Sequence, residues 1–263
     1  MTGVTGAAPQ TWAVRWRKLH KPRMRLFCVP HSGAGAAVYR PWDPLLPGDI
    51  ELVSIRLPGR ESRFREPAFS RLDDLIPELA ANLAPLLDVP YGLFGHSMGG
   101  LVAFETCREI RRRGLPEPAR LGISSRPAPQ LPAGSVSVLG LPGQTPARDA
   151  SDEEFATLVA ALNGTPVEEV RDTMAAFAPF IPTLRADLLV IETYEYRPES
   201  PLDLPISVFG GEQDPVAPVA DLRAWDAQTS VGCTVRTYPG GHFYLHQIRE
   251  KFVAALVSDL LGN

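Results

Sequence analysis

Cysteine is scarce in this chain of 263 residues, and the three present, Cys28, Cys107 and Cys233, lie far apart in sequence. That excludes a disulfide framework, and no pair has the spacing of metal ligands. Each lies in an apolar stretch, which points to buried thiols in a reducing compartment. Long apolar runs are also lacking. None approaches the roughly 20 residues of a bilayer span, so no membrane partner is expected. An excess of basic residues is missing too. The net charge is -4 and the pI about 5.8, which argues against a nucleic-acid partner. The opening stretch, "MTGVTGAAPQTWAVRWRKLHKPR", has no apolar core of the roughly 7–15 residues of a secretion signal, so a cytoplasmic location is expected. Internal repeats and low-complexity tracts are absent.

What remains is the composition of an ordinary enzyme, with 44% hydrophobic and 21% charged residues. The length suits one domain. Residues 1–15 are small and polar and are expected to be disordered, leaving 16–263 as a single folded domain. Short apolar runs read as strands: "MRLFCV" from Met24, "IELVSIRL" from Ile50, "YGLFG" from Tyr91, "ARLGISS" from Ala119, "ISVFGG" from Ile206 and "CTVRTYP" from Cys233. Between them lie helical patterns. "SRLDDLIPELAANLAPLLD" carries leucines at helical spacing, although it contains Pro77 and Pro85. "GGLVAFETCREIRRRG" ends at Gly114. "HQIREKFVAALVSDLLG" places Ile248, Phe252, Leu256 and Leu260 on one face. Strands alternating with helices predict an α/β fold, a mostly parallel central sheet with helices on both faces.

Residues 126–203 interrupt that alternation. "SDEEFATLVAALNG" and "TPVEEVRDTMAAF" each open with a capping box, Ser151 to Glu154 and Thr165 to Glu168, and Pro166 suits a first helical position. "IPTLRADLLVIETYEYRP" reads as a third helix. Helices inserted between two strands of such a sheet predict a lid over the carboxyl ends of the strands. The plainer alternative is one more helical layer of the domain. Phe177, Phe180, Ile181, Leu184 and Leu188 recur at helical spacing there. They pack the lid onto the core or, in part, line a substrate channel, for which Phe177, Phe180 and Leu184 are the candidates.

Gly95-His96-Ser97-Met98-Gly99 is a Gly-X-Ser-X-Gly pattern, which chance alone produces in about one chain in ten of this length. Its context is more specific. The pattern ends a predicted strand and starts a predicted helix, as a nucleophile elbow requires. Glycines flank a sharply turned Ser97, and the helix amino terminus favours negative charge there. A serine hydroxyl needs a base, and the base an orienting acid. In α/β-hydrolases these follow in the order Ser, acid, His. Asp214 stands just past the strand "ISVFGG", and His242, 28 residues on, just past "CTVRTYP". Both strand ends lie where ligands bind in such sheets. Their rivals are less well placed. His20 precedes the first strand, His31 and His96 lie in glycine-rich turns, and His246 belongs to the last helix. Glu212 comes two residues early, and Asp221 and Asp226 fall in a predicted helix. Two N–H groups are needed for the oxyanion. Met98 supplies one. The loop "VPHSGAGAAVYRPW" supplies the other, with Ser32 the candidate. Arg60, Arg63 and Arg65 lie in a predicted loop, where function concentrates. The arginines of "REIRRRG" suit a helix carboxyl end and are candidates for docking an acidic partner.

From about Trp16 onward the sequence resembles the type II thioesterases that accompany modular polyketide and nonribosomal peptide synthases. The stretches that carry the likeness are "WRKLHKPRMRLFCVPHSGAG", "RLPGRESRFREPAF", "LFGHSMGGLVAFE", "LNGTP", "LRADLLVIETYEY", "GGEQDP" and "PGGHFYL". Gly100 stands where alanine is common in that family, and Ser32-Gly33-Ala34-Gly35 replaces the usual Ala-Gly-Gly-Ser. The resemblance implies the α/β-hydrolase fold, a triad of Ser97, Asp214 and His242, an oxyanion donor at Ser32 and a helical lid. It implies hydrolysis of acyl groups from the phosphopantetheine arm of an acidic acyl or peptidyl carrier protein. No cofactor or metal of the enzyme's own is expected, and a monomer is expected. Two other functions fit the residues: a small-molecule carboxylesterase or lipase with the same triad, and a non-catalytic acyl-binding module.

Overall fold

The structure is a computed structural model that describes residues 11–131, 149–151, 153–154 and 178–262. Its seven strands are β1 (Ala13–Arg15), β2 (Met24–Val29), β3 (Ile50–Ile55), β4 (Tyr91–His96), β5 (Arg120–Ser124), β6 (Ile206–Gly211) and β7 (Cys233–Tyr238). They form one sheet in the order β1-β3-β2-β4-β5-β6-β7. Only β1 runs antiparallel; the other pairings are parallel. Strands β2, β3, β4 and β6 are buried along their whole length, which accounts for their continuous apolar runs in place of alternation.

Six helices accompany the sheet among the described residues: α1 (Leu72–Leu83), α2 (Met98–Arg112), α3 (Ile181–Glu192), α4 (Val219–Arg223), α5 (Tyr244–Gln247) and α6 (Arg249–Leu261). Helices α1 and α2 bury Leu72, Leu75, Leu79, Leu101 and Phe104 against one face of the sheet. Helix α6 covers the other with Phe252, Leu256 and Leu260. It is joined there by residues 36–45, a run of 3-10 turns that buries Tyr39 and Trp42. Pro41 and Pro44 lie in that run, and their missing N–H groups favour short turns over an α-helix.

Two readings of the sequence need correction. Residues 11–15 are ordered: Trp12 is buried, and Ala13–Arg15 pairs with Val53–Ile55. Composition hides this because a single indole and one ion pair are decisive. The Trp12 ring lies 4.4 Å below the Arg63 guanidinium, and Arg15 donates three hydrogen bonds to buried Glu51. Among the thiols, Cys28 and Cys107 are buried, but Cys233 opens the edge strand β7 and is half-buried.

Strands β5 and β6 are neighbours in the sheet, so the chain between them leaves and returns at adjacent positions. Helix α3 belongs to that excursion. The capping box at Ser151 is formed: its N–H and hydroxyl donate to Glu154 Oε2 at 2.7 and 2.8 Å, and the Glu154 N–H donates back at 3.2 Å. The second box, Thr165 to Glu168, and Phe177 lie outside the described residues.

Candidate active site

Ser97 stands between β4 and α2 with φ 56° and ψ -120°, a conformation that costs a β-substituted residue free energy. Contacts on both sides hold it. The Ser97 N–H donates to the Ser124 carbonyl at 2.8 Å, and the Ser97 carbonyl accepts from the Gly100 N–H at 3.0 Å. A Cβ at Gly95 would lie 1.9 Å from the Gly99 carbonyl oxygen, and one at Gly99 would lie 2.2 Å from that of Val29. Only hydrogen fits at either position. The close approach at Gly99 also places the first turn of α2 directly against the end of β2.

Asp214 and His242 meet below the carboxyl ends of β6 and β7, only 5% and 4% exposed. His242 Nδ1 lies 2.9 Å from Asp214 Oδ2 and 3.1 Å from Oδ1. Oδ1 also accepts the Val216 N–H at 2.9 Å. Burial works against the charged carboxylate. The hydrogen bonds from His242, Ser125 and Val216 outweigh it and hold Asp214 below the usual carboxylate range. With Nδ1 committed to Asp214, Nε2 is the nitrogen left to exchange protons. The rivals do not pair with Asp214 or His242: Glu212 and Asp226 are exposed, Asp221 lies in the first turn of α4, and His246, exposed on α5, stacks on Phe243 with its ring 6.4 Å from that of His31.

Other imidazoles surround this pair. The His96 ring lies 5.1 Å from that of His242 and 5.8 Å from that of His31, and Phe243 packs against all three. His96 Nδ1 contacts Ser124 Oγ at 2.9 Å, which in turn contacts the Tyr244 hydroxyl at 2.9 Å. Burial pushes His96 well below its ordinary pKa and pulls His31 down to about 4. Both are therefore neutral at pH 7 and set no fixed positive charge beside His242.

Met98 is the first residue of α2 and is buried. Its N–H is one of the helix-start amides that lack an intrahelical partner. Ser32 lies in the turn after β2, and its amide makes no hydrogen bond among the described residues. Leu184 packs over this turn, its Cδ1 3.1 Å from where a Gly33 Cβ would stand. Phe180 is 52% exposed and lies 6.0 Å, ring to ring, from Phe64, itself 45% exposed. Leu188 is buried. The arginines of "REIRRRG" are engaged: Arg111 and Arg112 pair with Glu199, and Arg113 with Glu109. Sequence reasoning did not foresee the contacts of Ser124 and Tyr244, nor a buried pairing of Arg60 with Asp187. For the last, a signal was present: Asp187 is a carboxylate among Leu184, Leu188 and Val190 on a helix with Pro182 in its first turn. Among the described residues no His, Cys, Asp and Glu cluster suits a metal ion, and no helix is long and apolar enough to cross a membrane.

The thioesterase domain profile matches residues 24–260. The gramicidin S biosynthesis protein GrsT of Aneurinibacillus migulanus is 35% identical over 249 residues, 95% of this chain and 93% of its own. Among solved structures, the type II thioesterase BorB from the borrelidin biosynthetic cluster is 30% identical with a TM-score of 0.84, covering 97% of this chain and 99% of that one. The RedJ thioesterase from the prodiginine pathway of Streptomyces coelicolor is 32% identical with a TM-score of 0.80, covering 89% and 85%.

Proposed function

Because the chain belongs to the thioesterase family, we propose that it is a type II thioesterase that cleaves acyl groups from the phosphopantetheine arm of an acyl or peptidyl carrier protein in secondary-metabolite biosynthesis. Ser97 is the nucleophile, His242 the general base and Asp214 its orienting partner. The observations that carry this reading are the buried Asp214–His242 pair and a serine at a strand-to-helix turn with φ 56°.

The chemistry runs in two halves. Ser97 Oγ attacks the thioester carbonyl carbon as His242 Nε2 takes the hydroxyl proton. Charge gathers on the carbonyl oxygen, within reach of the Met98 and Ser32 N–H groups. The C–S bond then breaks, and His242 returns its proton to the departing pantetheine sulfur. Water, deprotonated by the same imidazole, attacks the acyl-serine ester; the carbonyl reforms and the acid leaves as Ser97 recovers its proton. Asp214 holds the imidazole with Nδ1 protonated throughout. Residues 126–203 serve as the lid, with Leu184 and Phe180 on α3 and its approach forming part of the acyl channel.

The test is turnover of a panel of acyl-loaded carrier proteins, with matching acyl-pantetheine thioesters and oxygen esters. Faster cleavage of the thioesters, loss of turnover in Ser97→Ala and labelling of Ser97 alone by a fluorophosphonate are expected. Preference for oxygen esters would make the protein a carboxylesterase. Acyl binding without turnover would make it a binding module.

A further inference from the structure

The turn after β2 is held by groups that lie far from it in sequence. Arg60 and Asp187 are both almost fully buried and pair at two points, Nη1 to Oδ2 at 2.9 Å and Nη2 to Oδ1 at 2.7 Å. Arg60 Nη1 also donates to the Ala34 carbonyl at 2.9 Å. Asp187 Oδ2 accepts the Gly33 N–H at 2.7 Å. Thr183, one turn earlier on α3, donates to the Gly59 carbonyl at 2.7 Å. Next to Arg60, Glu61 Oε1 accepts the Ala37 N–H at 2.8 Å. Three segments, 33–37, 58–61 and α3, thus share one polar network.

Such a network has a cost. Two buried charges give up hydration, and a well-packed apolar pair of similar volume often serves stability as well or better. A fork-to-carboxylate pair offers direction instead, since it fixes both distance and plane. Here the direction is spent on two backbone groups of a single turn. Gly33 has φ 76°, which glycine reaches freely among several conformations, so the pair serves to select this one. With the Gly33 N–H engaged by Asp187 and the Ala34 N–H by the His31 carbonyl, the Ser32 amide makes no hydrogen bond among the described residues and stays free to donate.

We propose that Arg60 and Asp187 are positioning residues for the oxyanion hole: their ion pair, anchored on α3, holds the 32–35 turn so that the Ser32 N–H is presented to the reacting carbonyl. This rests on the reading of Ser32 as the second oxyanion donor. The consequence is that the seating of α3 and transition-state stabilisation are one equilibrium. An acyl chain that holds α3 in place also completes the hole.

The decisive experiment separates position from folding. Asp187→Asn and Arg60→Lys are compared with the double apolar variant Arg60→Met/Asp187→Leu, which removes both charges. Thermal unfolding, kcat, KM and the inhibition constant of an acyl trifluoromethyl ketone are measured for each. The single variants should lose kcat by roughly 10²–10³-fold, the size of a lost oxyanion donor. Ketone affinity should weaken in parallel, with KM and the pH midpoint of kcat/KM unchanged. The double variant should recover the unfolding temperature but not kcat. Return of kcat together with stability would overturn the proposal, because the pair would then be structural only. If the double variant does not fold, Asp187→Asn decides alone: wild-type kcat in a folded Asp187→Asn overturns it. Failure of the underlying triad reading is seen separately, as turnover that survives Ser97→Ala.

Discussion

Asp214 accepts hydrogen bonds from His242, Val216 and Ser125, and its replacement by asparagine tests the first of these with little change of shape. Asp214→Asn should keep the far-UV circular dichroism and melting profile of a folded protein yet lose roughly 10⁴-fold in kcat, because the imidazole takes the wrong tautomer. A rate near wild type would move the acid to another carboxylate. Ionisation also ties these residues to stability. The Asp214 pKa is lowered in the fold, so its contribution is present above the unfolded value near 3.9 and is lost as pH falls through the folded one. His96 and His31 act at higher pH. Their folded values are lowered, so the unfolded chain binds protons first, and stability is lost as pH falls below about 6.5, levelling off for His31 at about 4. Melting temperature should therefore decline between pH 7 and pH 4, and His96→Asn should flatten that decline. An unchanged slope in His96→Asn would remove His96 from the account. The residues proposed as the triad could be picked out in the sequence because each follows a strand at a turn. Arg60 and Asp187 were not legible as a pair, since 127 residues separate them and only the folded chain brings them together.

At the scale of elements, the parallel strands and amphipathic helices were legible because burial on both sheet faces and on one helix face leaves distinct periods in the sequence. Strand β1 was not, because three residues carry no period and edge pairing depends on Trp12 and Arg15. The 36–45 turns were missed for a related reason: Tyr39 and Trp42 lie three apart, among prolines that read as loop. The elbow itself is an element-level joint. Gly99→Ala would push α2 away from the end of β2, and overpacking of this kind costs about 1–3 kcal/mol or more. Chemical denaturation should show that loss, with activity falling further than stability because the Met98 amide moves with the helix. The Phe64–Phe180 contact tests the lid. Two exposed rings contribute little to a core, so Phe180→Ala should change the ranking of acyl substrates by roughly 1–3 kcal/mol in kcat/KM, the range for altered hydrophobic contacts. A very short acyl thioester should be cleaved as before. Equal slowing of all chain lengths would return Phe180 to a packing role.

Across the whole molecule, helix α6 is fastened by residues that are missing from the sheet rather than present in it. Leu260 Cδ1 lies 2.2 Å from where a Cβ of Gly92 would be, and Leu256 Cδ1 lies 3.1 Å from that of Gly122. These two notches, on β4 and β5, let the last helix lie close against the strands that carry Ser97 and Ser124. Leu260→Ala would empty one notch and should lower stability by about 2–5 kcal/mol, read as a shift in denaturant midpoint; a loss under about 1 kcal/mol would mean that the neighbours close the gap. The same arrangement orders events in time. A ribosome extrudes Ser97 well before Asp214, His242 and α6, and the sheet faces Gly92 and Gly122 stay uncovered until that final helix arrives. If Ser97 is the nucleophile as proposed, it is therefore inert in a nascent chain until the segment that carries Asp214, His242 and α6 has been made and has docked on the sheet.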